Sequence, residues 1–152
     1  MHKNQEYDHQ SFAIRQSCRL CLCQILCNGD AQEHCDLVNI RYAGLLAIAL
    51  STAGGSGEKQ DQEIYWGLNK LSTFLNQFHL GRYYNTPFPP QPNLAKTSVE
   101  QIEEEGGSEE IDAQLINKGR LWVSIINYAN KSKAAMLNYF INSRSTRPMW
   151  YQ

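Results

Sequence analysis

Residues 113–152 carry six basic side chains, Lys118, Arg120, Lys131, Lys133, Arg144 and Arg147, and no carboxylate. The same stretch holds the longest helical pattern in the chain. Leu115, Trp122, Ile125, Ile126, Ala129, Met136, Leu137 and Phe140 recur at three- and four-residue steps, the apolar stripe of an amphipathic helix. At about 100° per residue, Arg120, Ser124, Asn127, Lys131, Asn138 and Asn142 gather on the side away from that stripe. Cations, amides and a hydroxyl without a carboxylate can neutralise phosphates and bond phosphate or sugar oxygens without reading sequence. Arg144 and Arg147 extend the set. Arg82-Tyr83-Tyr84, and Arg147 with Trp150-Tyr151, place cations beside rings that could stack on exposed bases. The competing reading is an ordinary solvated helix face. Lys133 falls by helical phase within the apolar stripe. Its stem could line the core edge with the ammonium in water, the helix could bend nearby, or the stripe could there meet a partner subunit.

All five cysteines lie between residues 18 and 35. Cys18, Cys21, His34 and Cys35 are weak candidates for a metal site, because Cys-x-x-Cys with a further Cys and His supplies zinc ligands. Helical geometry opposes this: Cys23 and Cys27 fall on about the opposite side from Cys18 and Cys21. Cysteine is also a small buried hydrophobe, so core thiols are the expected role, and no metal or cofactor is expected. A Cys–His nucleophile pair such as Cys35 with His79 would need the fold to assemble it. No nucleophile elbow, paired-carboxylate motif or metal-binding helix motif is present. The seven acids of residues 94–112 sit in a glycine-rich stretch that would hold catalytic carboxylates poorly. They read as a solvated loop, or as a loop folded over the basic helix face to screen it.

The elements that must position these groups are helical. Apolar residues make up 42% of the chain and charged residues 19%, enough for one domain with a real core. The net charge of −1 conceals an asymmetry: seven acidic and one basic residue in 94–112 precede the wholly basic C-terminal stretch. Such asymmetry implies an electrostatic partner, external or within the chain. Residues 1–11 read as a flexible N-terminus and 12–152 as a single helical domain. The first helix, about 12–27, is apolar nearly all round at its end and so is expected to be central. Asn28-Gly29-Asp30 stops it. A second helix fits about 31–53, its small-residue run from Ala43 allowing close packing. Gly54-Gly55-Ser56-Gly57 reads as a linker, since it lacks the Lys-Ser/Thr ending and preceding strand of a phosphate cradle. A third helix fits about 61–79, with Ile64, Leu68, Leu71, Leu75 and Phe78 as its stripe. Residues 81–110 read as an extended, proline-rich and acidic loop insertion. The fourth helix runs from about 111 to 142, and Met149-Trp150-Tyr151 forms an apolar tail. No strand pattern or internal repeat is visible.

The expected fold is therefore all-α, a bundle of about four main helices with a long proline-rich, acidic loop before the C-terminal helix. The N-terminus lacks a secretory pattern and the longest apolar run is far short of a bilayer span, so a cytoplasmic protein with no membrane association is expected. The expected function is a non-catalytic small subunit of a nucleoprotein complex. Its partners would be RNA or single-stranded DNA, bound without sequence preference, and other protein subunits; a homo-oligomer is compatible. Small helical subunits of CRISPR effector complexes, which serve antiviral defence, share this size and class. That comparison is made at the level of fold, without a diagnostic motif. The alternatives are a protein–protein adaptor or virion structural subunit, with the proline-rich segment and apolar tail as docking elements, and a small Cys-dependent or metal enzyme.

Overall fold

The computed structural model describes residues 2–53, 58–116 and 122–137. The chain is all-α. Its described residues form α1 (His2–Asn28), α2 (Ala31–Asn39), α3 (Tyr42–Thr52), α4 (Glu58–Leu80), α5 (Pro92–Glu104), α6 (Gly107–Gln114) and α7 (Trp122–Leu137). Among them the only strand-like pairing is a single antiparallel bridge between Arg82 and Phe88.

The core forms around α4. Its stripe of Ile64, Leu68, Leu71, Phe74, Leu75 and Phe78 is buried. On one side lies α7, which contributes Ile125, Ala129, Ala135 and Met136. Two polar bonds fix that contact: Ser132 Oγ donates to the Leu68 carbonyl (3.1 Å), and the His79 ring donates through Nε2 to the Ala135 carbonyl (2.7 Å). On another side lies α3, whose small residues permit the close approach expected of them. A Cβ on Gly67 would come within 2.9 Å of Leu50, and one on Gly107 within 2.9 Å of Ala47.

The bundle departs from the sequence reading in five places. Helix α1 begins at His2, within the stretch read as a flexible N-terminus, and the single helix expected over about 111–142 is broken, α6 ending at Gln114 with a turn at 115–116. The other three shape the core. One helix is expected over 31–53, but α2 and α3 meet at a 57° bend. The break falls at Arg41, whose φ of 60° is left-handed although it is not glycine. Its guanidinium reaches Glu104 (2.5 Å) and Glu105 (3.5 Å) at the end of α5, an exposed ion pair that secures the bend. Secondly, the loop expected over 81–110 is extended only to Gln91. Pro92 occupies the first turn of α5, where its missing N–H costs nothing. That helix buries Ala95, Ser98, Val99, Gln101 and Ile102 against the core and turns its acids outward. Its apolar stripe is thin because Ser98 and Gln101 occupy part of the buried face, and Gln101 donates to the Val38 carbonyl (2.8 Å). Thirdly, α1 is not central. From Glu6 to Cys18 every residue is exposed, and only Leu26 is fully buried. Leu22 and Ile25 lean on the core, and Arg19 reaches Glu63 (3.2 Å) and the Trp66 ring (5.3 Å).

No single helix among the described residues is long and apolar enough to cross a membrane. The linker at residues 54–57 and the tail at residues 149–151 lie outside the described residues.

Tyr42 offers a test of the packing. Its ring is 2% exposed, edge-on to Phe74, and its buried hydroxyl has no hydrogen-bond partner. Burial raises its pKa well above the usual phenol range. Tyr42→Phe removes an unpaired polar atom and keeps the ring. It is expected to leave stability unchanged or raise it by about 1 kcal/mol, read from the urea midpoint.

Candidate nucleic-acid interface

The site expected from the sequence is brought together only in part. Ser124, Asn127 and Lys131 lie on α7, where Asn127 and Lys131 are exposed and Ser124 is half-buried. They stand on the side away from Ile125, Ala129 and Ser132, as helical phase predicts. Arg120, Asn138, Asn142, Arg144 and Arg147 lie outside the described residues.

Arg82 is a correction. It is 2% exposed and cannot meet a nucleic acid. Its guanidinium is spent on backbone carbonyls. Nη1 donates to Leu26 (3.2 Å) and Cys27 (3.1 Å), Nη2 to Gly29 and to Thr86 (2.7 Å), and Nε to Thr86 (3.0 Å). The first three acceptors belong to the C-terminus of α1, where a helix leaves carbonyls unpaired and its dipole favours a cation. Phe88 covers the guanidinium at 4.9 Å. Asn85 and Thr86 add bonds to the same helix end, at the Cys27 carbonyl, the Asn28 side chain and the Asn28 carbonyl. The adjacent Tyr83 and Tyr84 are exposed, without the arginine expected beside them.

The sequence reading missed an aromatic pair at the seam of α4 and α7. Tyr128 on α7 and Tyr65 on α4 stand edge to face, with ring centroids 5.1 Å apart. The Lys131 ammonium lies 4.5 Å above the Tyr128 ring. Tyr128's pKa is raised, first by its hydrogen bond to Tyr65 and then by charge on that neighbour, while the Lys70 ammonium pulls it the other way. Both tyrosines are half-buried. The signal was available: Tyr128 lies three residues before Lys131, and Tyr65 flanks the α4 stripe.

The other ionic question is Lys133. Its Nζ sits 2.6 Å from Asp112 on α6, with both side chains about half exposed. The acidic segment thus reaches α7, but at this one lysine. Lys131 has no carboxylate partner among the described residues.

The cysteines do not form a centre. Among the described residues no three His, Cys, Asp or Glu side chains converge on a point that could hold a metal. Cys18 and Cys21 are exposed, and Cys35 is half-buried. They are not the core thiols expected: the face of α1 that carries Cys18 and Cys21 points away from the bundle, and Cys35 lies at the partly exposed edge of α2. His34 is buried, with Nδ1 2.9 Å from the Asp30 carbonyl and Nε2 2.7 Å from Gln77 Oε1, so neither nitrogen is open to a metal. His79 is held by Ala135 and does not pair with Cys35. Cys27 lies 4.0 Å from Cys23, and burial, then its neighbour, push its thiol pKa up, the direction opposite to an activated nucleophile.

Comparison with protein-family models, with curated proteins and with solved structures found no match to this chain.

Proposed function

We propose that this chain is a non-catalytic helical subunit of a nucleoprotein assembly that touches a nucleic-acid backbone through the solvent face of α7. One observation carries the reading. Lys131, Asn127 and Ser124 line a face of a helix without Asp or Glu, next to a half-buried tyrosine pair. The Lys131 ammonium, over the Tyr128 ring and without a carboxylate partner among the described residues, can meet a phosphate, the amide and hydroxyl can bond phosphate or sugar oxygens, and the rings can pack on a sugar or base. None of these contacts reads a base edge in a fixed pattern, so binding would be indifferent to sequence.

The test is fluorescence anisotropy of short labelled RNA and DNA strands, at low and at physiological salt. Affinity is expected to fall steeply as salt rises. Lys131→Glu together with Arg120→Glu is expected to weaken binding at low salt by about tenfold or more and to flatten the salt dependence. Binding that ignores both substitutions overturns the reading.

A second reading, a protein–protein adaptor, draws on Tyr83 and Tyr84. They are 84% and 64% exposed beside a proline-rich segment, and such rings are common anchors of protein interfaces. Partner binding lost on Tyr83→Ala with Tyr84→Ala but kept in the α7 variants would favour it.

A further inference from the structure

The outward face of α1 follows a heptad. Tyr7, Ser11, Ile14, Cys18, Cys21 and Ile25 are separated by four, three, four, three and four residues, the spacing of a two-helix seam. The bundle leaves that seam open. Tyr7 is 69% and Ile14 64% exposed, Ser11, Cys18 and Cys21 are exposed, and only Ile25 turns partly inward. The positions flanking it carry Asp8 and Arg15 on one side and Gln10 and Ser17 on the other, all exposed. Neither Asp8 nor Arg15 has an ion-pair partner among the described residues.

We propose that α1 pairs, antiparallel, with α1 of a second copy of this chain. Charge complementarity selects both the partner and the register. With Ser11 opposite Ile14 of the second copy, Tyr7 falls opposite its Cys18. Asp8 then flanks the second copy's Arg15, and by the two-fold axis Arg15 flanks its Asp8. One register thus fills the apolar seam and neutralises both unpaired charges twice over. Gln10 meets Ser17 on the other flank, where no charge is left to match. The overlap runs from about residue 4 to residue 21, roughly 27 Å of helix. It stops before Leu22, where α1 begins to lean on its own core. The two bundles then lie toward opposite ends of the seam, with Arg19 facing its own α4 on the other side of the helix, whereas a parallel pair would force both bundles to one end.

Sedimentation equilibrium of the full chain under reducing conditions is expected to show a monomer that becomes a dimer as concentration rises. Asp8→Arg alone and Arg15→Asp alone each place like charges together twice, and each is expected to weaken association by about tenfold. The doubly exchanged chain, or an equal mixture of the two single variants, is expected to recover it. Under mild oxidation Tyr7→Cys is expected to form an intermolecular disulfide with Cys18, identified by mass spectrometry of the linked peptides. All these positions are exposed, so unchanged circular dichroism keeps the comparison fair. A chain that stays monomeric at every concentration overturns the proposal. So does charge exchange without recovery, or a native Cys18–Cys18 crosslink, because the proposed register holds those two residues far apart.

Discussion

Arg82→Ala is expected to destabilise the protein by about 3–5 kcal/mol in urea-induced unfolding, more than any other surface-type residue replaced by alanine. The arginine has no carboxylate partner among the described residues; its charge is balanced by the carbonyls of Leu26, Cys27, Gly29 and Thr86. Removing it leaves several buried acceptors unpaired, and each costs roughly 1–3 kcal/mol before the structure relaxes or admits water. Arg82→Lys is expected to recover only a minor part, because one ammonium cannot span acceptors on two segments as the planar fork does. Hydrogen exchange should locate the damage. Amides in the last turns of α1 and in residues 82–88 are expected to lose protection first, and those in the middle of α4 last. Uniform loss across the bundle would contradict this assignment.

Phe74→Ala is expected to cost about 3–5 kcal/mol, by a different route. Phe74 is fully buried and touches three rings: Phe78 at 4.7 Å, Tyr42 at 5.2 Å and His34 at 6.2 Å between centroids. Alanine there opens a cavity whose walls are held by other contacts. His34 is fixed by Asp30 and Gln77, and Gln77 also donates to the Leu26 carbonyl (3.2 Å). Collapse into the gap is therefore restricted, which places the cost toward the upper end. Phe74→Leu, which keeps most of the volume, is expected to cost roughly 1–2 kcal/mol. Equal costs for the two substitutions would mean that ring contacts, and not the cavity, hold the site together.

The helical class was legible because α4 and α7 repeat apolar residues over many turns. The stop after α1 was legible because Asn28-Gly29-Asp30 has local chemistry: Asp30 caps α2 and exchanges bonds with Glu33 in a capping box. What stayed hidden depended on distant partners. Arg41 turns left-handed with no glycine to announce it, and the glutamates that meet it lie some sixty positions away. Arg82 resembled a surface cation because nothing in Gly81-Arg-Tyr-Tyr tells of the end of α1. Helix α5 reads as loop because only Leu94, Ala95, Val99 and Ile102 are apolar in it and two of its buried positions are Ser98 and Gln101. Helix α1 was mistaken for core because leucine and cysteine all round the helix do not say which side finds a neighbour. The α7 face was legible by phase alone, since Asn127 and Lys131 follow from Ile125 and Ala129. Its tyrosine partner on α4 was not, because that pairing is set by how two helices cross.

The anchoring of α1 at one end has a mechanical consequence. From Leu26 to Glu6 the axis measures roughly 30 Å at 1.5 Å per residue. All the bonds from Arg82, Asn85, Thr86 and Gln77 grip its last turn. The helix is thus a lever with its fulcrum at that clasp, braced further up by the contacts of Arg19 to Glu63 and Trp66, and with its working end in water. A tilt of about 5° there would swing the tip sideways through roughly 2.6 Å. Small changes in the rings beneath the clasp, at Phe88 or His34, would thereby be geared up into a sideways displacement large enough to loosen or tighten the contact of whatever the tip engages.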